Sequence, residues 1–143
     1  MSLDSTIASI IVDNAVGVPD FSVLDLTRFS KLESLVIGDN CFSYVTEVKL
    51  IGLDELKSVE IGMNSFTQHK NWYSNDPKRH FYLKNCPKLK SLKMGCHSFS
   101  DYTVCEIENV DALETIEFGE LNEASRSFFD ASLELKSILI HSK

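Results

Sequence analysis

The stretch Leu32-Glu33-Ser34-Leu35-Val36-Ile37-Gly38-Asp39-Asn40-Cys41-Phe42 returns twenty-four residues later as Leu56-Lys57-Ser58-Val59-Glu60-Ile61-Gly62-Met63-Asn64-Ser65-Phe66. The shared frame is L-x-x-L-x-I-G-x-N-x-F, apart from Val59 in the place of the second leucine. Working outward, the same apolar spacing recurs in Ile7-Ile10-Val12, Leu89-Leu92-Met94, Leu113-Ile116-Phe118 and Leu135-Ile138-Ile140. Starts at 7, 32, 56, 89, 113 and 135 give steps of 25, 24, 33, 24 and 22 residues. Six copies of one unit, with a single lengthened step, mark a repeat architecture.

Each triplet ends in apolar residues that alternate with one outward residue, and a period of two is a short strand with one buried face. Such a strand cannot survive alone. Stacked on its copies at about 4.8 Å per rung, it joins a parallel sheet over a continuous core. Gly38, Gly62, Gly95 and Gly119 follow the triplets, where a side chain would obstruct the turn. Asn40 and Asn64 are expected to face inward and bond the backbone of adjacent rungs, with His97 and Leu121 in the same column. Phe42, Phe66 and Phe99 come ten residues after their starts and are expected to plug the wide corner. A second alternating segment, seen in Val48-Lys49-Leu50, Phe81-Tyr82-Leu83 and Cys105-Glu106-Ile107, predicts another short strand on an opposite wall. About six residues join Phe42 to Val48, which leaves no room for a long helix. The expected fold class is a β-rich repeat solenoid with short parallel strands on two walls, one domain over 1–143.

The two frames that carry Asn40 and Asn64 resemble the L-x-x-L-x-L-x-x-N-x-L signature of leucine-rich repeats. The Ile-Gly-x-x-x-Phe element is most similar to the BspA-like branch of that superfamily, found in many microbial surface proteins. The resemblance covers nearly the whole chain, with departures at Ala15, His97 and Leu121 in the Asn column. It implies a curved, right-handed solenoid that usually binds proteins, and it does not imply an enzyme.

Composition agrees with a globular domain: 143 residues, 43% hydrophobic and 24% charged. Lys plus Arg number 14 against 21 Asp plus Glu, and a net charge of -7 argues against holding a nucleic-acid backbone. No run approaches the roughly 18 apolar residues of a membrane span, so no membrane insertion is expected. Met1-Ser2-Leu3-Asp4 lacks a basic region ahead of an apolar stretch, which argues against a secretory leader. Cys41, Cys86, Cys96 and Cys105 show no C-x-x-C spacing, and there are no cysteine-rich flanks. These features favour buried, reduced thiols and a cytoplasmic setting. A zinc site from His80, Cys86, Cys96 and His97 is the sharper alternative, weakened by irregular spacing. No nucleophile elbow, P-loop, dinucleotide fingerprint or H-E-x-x-H occurs. Glu106, Glu108, Asp111, Glu114 and Glu117 are expected to project from separate walls. Neither a catalytic site nor a cofactor is expected.

Two surfaces are candidates for binding a protein. The long step contains a polar insertion, residues 67–80, in which Lys70, Trp72, Tyr73, Lys78 and Arg79 form a basic-aromatic patch on an acidic chain. Aromatic and Arg residues are common interface anchors. The outward strand columns are the second candidate. Ser34, Ser58, Ser91, Thr115 and Ser137 form a hydroxyl column, and Ile11, Val36, Glu60, Lys93, Glu117 and Leu139 form the next. Ser and Thr also suit an exposed strand on propensity alone. Solenoid ends need caps, and neither Ile7–Val12 nor Ile138–Ile140 is followed or preceded by one, so the chain is expected to be part of a longer solenoid or to associate end to end. The functional expectation is a non-catalytic protein-interaction module. A surface-displayed adhesive or receptor ectodomain, and a scaffold assembling through uncapped ends, are the alternatives.

Overall fold

The computed structural model describes residues 6–17, 20–67, 76–99, 102–118 and 132–136, with positions 76–78, 118 and 132–136 given as backbone. Among these residues the chain forms strands and no helix, so none is long and apolar enough to cross a membrane. The strands build two sheets. Sheet A takes β1 (Ser9–Val12), β3 (Ser34–Ile37), β5 (Ser58–Ile61), β7 (Ser91–Met94) and β9 (Thr115–Phe118), side by side in that order. Sheet B takes β2 (Val23–Asp25), β4 (Glu47–Ile51), β6 (Asp76–Lys84), β8 (Tyr102–Glu108) and β10 (Ser132–Lys136). All pairings are parallel, and the chain visits the sheets alternately.

The register follows the sequence columns. Leu35 pairs with Ile10 and Val59, and Leu92 lies between Val59 and Ile116. Val48, Phe81 and Cys105 align on sheet B, as do Leu50, Leu83 and Ile107. The inward residues of both sheets, with Leu32, Leu56 and Leu89, meet in one apolar core. The return from sheet B to sheet A is one tight turn used repeatedly. Leu32, Leu56, Leu89 and Leu113 each donate an N–H to the carbonyl three residues earlier, on Phe29, Leu53, Cys86 and Val110. Period two makes each strand amphipathic, and strands this short bury an apolar face only by stacking on their copies.

Three local expectations need correction. Asn40 is exposed and does not face inward; it holds φ 57°, and Ala15, Asn64 and His97 hold the same left-handed conformation at 62°, 58° and 64°. Asn belongs to this column because it tolerates that backbone better than most residues do. The backbone contributes the inter-rung bonds here, with Asn40 N–H donating to Met63 O and Asn64 N–H to Cys96 O, both at 2.9 Å. The inward polar ladder sits one residue later. Cys41 N–H donates to Ser65 Oγ (3.1 Å), whose hydroxyl donates to Gly38 O (2.8 Å). Ser65 N–H donates to Ser98 Oγ (3.2 Å), whose hydroxyl donates to Gly62 O. Ser65 and Ser98 are wholly buried, so these bonds satisfy carbonyls that bends would leave unpaired.

The second correction concerns the end of the chain. Leu133 pairs with Cys105 and Leu135 with Ile107, so Leu135 belongs to sheet B and does not open a sheet A triplet. The alternation Leu133-x-Leu135 competes with Leu135-x-x-Ile138-x-Ile140 for the same residues, and the pairing with β8 takes the former. Ser137 and Leu139, with the Ile138–Ile140 end, lie outside the described residues, as do Gly119 and Leu121. Thirdly, the insertion is shorter than 67–80. Thr67 is buried, and Asp76 to His80 already run in β6, with an irregularity between Asp76 and His80 in the pairing to β8.

Candidate functional site

Sheet A brings the two outward columns together as the register requires. Ser9, Ser34, Ser58, Ser91 and Thr115 are successive partners, and so are Ile11, Val36, Glu60, Lys93 and Glu117. Ser9 extends the hydroxyl column beyond the residues singled out from the sequence, and Ser34 Oγ donates to Ser9 Oγ at 3.1 Å. Glu60, Lys93 and Glu117 are exposed neighbours of alternating sign. Among the described residues, no ion pair engages any of the three. The next column outward is less open: Lys57 Nζ lies 2.8 Å from Glu33 Oε1, both about half exposed. Such a pair contributes little to stability.

The outer face of sheet B was not singled out from the sequence, and its charges are arranged differently. Lys84 Nζ is 3.2 Å from Glu106 and 3.8 Å from Glu108, and sits 5.3 Å from the centre of the Tyr82 ring. The Glu106 hydrogen bond, foremost, pushes the Lys84 ammonium above its ordinary pKa. Lys49 pairs with Glu47 at 3.2 Å. His80 stacks on Tyr82 with ring centres 5.7 Å apart, and His80 Nδ1 lies 3.1 Å from the Tyr82 hydroxyl. Burial, followed by the charge of Glu106, raises the phenol's pKa. The charges of this face are largely consumed by one another. Glu106 lies on β8 of sheet B while Glu117 lies on β9 of sheet A, so the carboxylate-rich stretch is divided between the two sheets.

The insertion patch is not assembled as the sequence suggested. Arg79 is 3% exposed, its guanidinium donating to Ser43 O (3.3 Å) and Val45 O (3.4 Å) and lying 5.9 Å from the centre of the Tyr102 ring. Tyr102, also buried, donates to the same Val45 carbonyl at 2.6 Å. Arg79 therefore joins the 43–45 turn to β8 and is not available as a surface anchor. Lys70, Trp72 and Tyr73 lie outside the described residues, and Lys78 is described only as part of the β6 backbone.

The residues of the zinc alternative do not converge. Among the described residues, no three of His, Cys, Asp or Glu come together as a metal-holding group. His80 is on sheet B, Cys86 is buried beyond the end of β6, and Cys96 and His97 follow β7. Burial pushes the Cys86 thiol above its ordinary pKa and the Cys105 thiol up to about 12. A thiol reacts as its thiolate. Alkylation of the native chain followed by mass spectrometry is therefore expected to label Cys96, the partly exposed one, and to spare Cys41, Cys86 and Cys105 until denaturant is added. Native labelling of Cys105 would show that β8 opens.

Comparison of the chain with family models, with curated proteins and with solved structures finds no match.

Proposed function

We propose that the chain is a right-handed solenoid of leucine-rich-repeat type, most like the BspA-like branch, that acts as a non-catalytic protein-interaction module through the outer face of sheet A. One observation carries the choice of face. Among the described residues the Glu60, Lys93 and Glu117 column is exposed, in register and without an ion pair, whereas Lys49 and Lys84 of sheet B are held by Glu47, Glu106 and Glu108. An unpaired column of alternating sign beside a row of hydroxyls offers a partner both charge complementarity and hydrogen bonds, which set specificity and register in protein interfaces. The hydroxyls stand at a fixed strand spacing, so little side-chain entropy is lost when a partner engages them.

The test is affinity capture from native cell extract with the full chain as bait, comparing wild type with Glu60→Lys/Lys93→Glu. This double variant keeps the net charge and alters only exposed side chains. A partner held by wild type and by Tyr82→Ser but lost by the double variant supports the reading. Equal recovery by all three baits sinks it, and loss confined to Tyr82→Ser moves the site to sheet B. A Trp72→Ala bait addresses the insertion. Arg79 is left intact, because its removal would strip partners from buried carbonyls.

A further inference from the structure

Two charged columns of sheet A change sign together between neighbouring rungs. Lys57 N–H donates to Glu33 O, Lys90 N–H to Lys57 O and Glu114 N–H to Lys90 O, so these four residues are successive members of one column. Across the hydroxyl column stand Val36, Glu60, Lys93 and Glu117. The β5 rung is balanced, since Lys57 stands across Ser58 from Glu60 and is already held by Glu33. The β7 rung carries Lys90 and Lys93 on either side of Ser91, and the β9 rung carries Glu114 and Glu117 on either side of Thr115. All four of these charges are exposed, and among the described residues none makes an ion pair. One strip of the face therefore passes from doubly positive to doubly negative within a single strand spacing of about 4.8 Å.

A ligand that answers both rungs must set a carboxylate over Ser91 and a cation over Thr115. Each would meet two opposite charges and a hydroxyl able to donate or accept. The spacing selects the backbone that can carry such a pair. Residues three apart on an α-helix share a face and advance about 4.5 Å along its axis, close to the rung spacing. Same-face residues of an extended chain advance about 6.7 Å, so a strand laid across the rungs falls out of step with them. The short hydroxyl side chains leave a low floor between the two charged columns.

We propose that β7 and β9 dock an α-helical segment of a partner protein through an acid–base pair three residues apart, with Asp or Glu over Ser91 and Arg or Lys over Thr115. The helix axis crosses the strands, along the direction in which the rungs stack. Sliding the helix one rung toward β5 would set its cation over Lys90 and Lys93, so the pair fixes register as well as affinity. A second copy of this chain fits less well, because its described residues form no helix. The assignment deepens the reading of the outer face of sheet A as a binding surface and rests on it.

The probe is an alanine-rich helical peptide of about 20 residues carrying Glu and Arg three positions apart. Its control has the same composition with the pair two positions apart, which a helix cannot present on one face. A third peptide keeps the three-residue spacing but has a central proline that breaks the helix. Each is titrated into the full chain at low salt while amide signals are followed by NMR. The probe is expected to shift Ser91 and Thr115 saturably and to bind about tenfold more tightly than either other peptide. Lys93→Glu/Glu117→Lys, which conserves net charge at exposed positions, should remove that preference while the remaining amide spectrum is retained. Equal affinity for probe and control overturns the proposal, as does tighter binding of the proline peptide, which would make an extended segment the occupant. So does a dimer in sedimentation that Lys93→Glu/Glu117→Lys dissociates, which would make a second copy the occupant. If capture from extract depends on Glu60 and Lys93 while probe and control bind alike, the face stands and the helix alone falls. If capture is indifferent to Glu60→Lys/Lys93→Glu, the face falls and the helix with it.

Discussion

Gly62→Ala is expected to destabilise the chain by about 3 kcal/mol or more, the upper end of what overpacking costs. A Cβ on Gly62 would stand 2.7 Å from Gly38 C and 2.8 Å from Asp39 N, both backbone atoms of the neighbouring rung. It would also strike Asp39 Oδ1, which accepts the Met63 N–H at 2.8 Å. No side-chain rotation can clear these contacts, so the rungs must separate and weaken the Gly62 N–H bond to Ile37 O. For a domain of this size the urea midpoint should fall by roughly 1–2 M. Gly52 provides the contrast. Its φ is +69°, and a Cβ there would meet nothing within 4 Å. Asn85 and Asn109 follow β6 and β8 as Gly52 follows β4, both with φ 56°, and Asn109 Nδ2 donates to Asn85 Oδ1 at 2.8 Å. Gly52→Asn should therefore leave the midpoint nearly unchanged. If Gly62→Ala were equally mild, close rung contact would not be what excludes a side chain there.

Strand positions were legible because a four-residue strand buries anything only through its copies, so each inward column repeats an apolar shape. The outward columns of sheet A were legible for the same reason, since period two places Ser58 and Glu60 outside once Val59 and Ile61 are inside. Glycine after the triplet was legible as a site of obstruction. The Asn column was misread because an amide that tolerates left-handed backbone and one that bonds inward are spelled alike. The buried hydroxyls of Ser65 and Ser98 gave no signal, since a serine reads as polar until its rung places a carbonyl beside it. Arg79 was misleading for a related reason: it stands among polar residues, and only the fold brings the Ser43 and Val45 carbonyls to it. At Leu133 and Leu135, two overlapping alternations left the choice of sheet to pairing with β8.

Phe66→Ala is expected to cost about 3–5 kcal/mol, the range for emptying an aromatic site in a packed core. Phe66 is wholly buried, its ring centre 5.4 Å from that of Phe42 and 4.7 Å from that of Phe99, nearly parallel to the latter. Phe99 in turn meets Phe81 and Tyr102 edge-on at 5.1 and 4.9 Å, so the stack links the corner column to sheet B. The backbone disfavours these residues. Phe42, Phe66 and Phe99 hold φ values of 54°, 58° and 59°, a left-handed conformation costing about 1–2 kcal/mol for an L-residue. Ring burial outweighs that cost, which explains why the column keeps Phe where the φ value alone would favour Gly. The two effects can be separated experimentally. Alanine loses the ring and retains the strained backbone, whereas glycine loses the ring and relieves it. Phe66→Gly should therefore be the more stable of the two variants by roughly 1 kcal/mol, reversing the usual order of alanine and glycine. A urea midpoint for Phe66→Gly below that of Phe66→Ala would mean that the left-handed turn does not persist once the ring is gone, and that the stack imposes it.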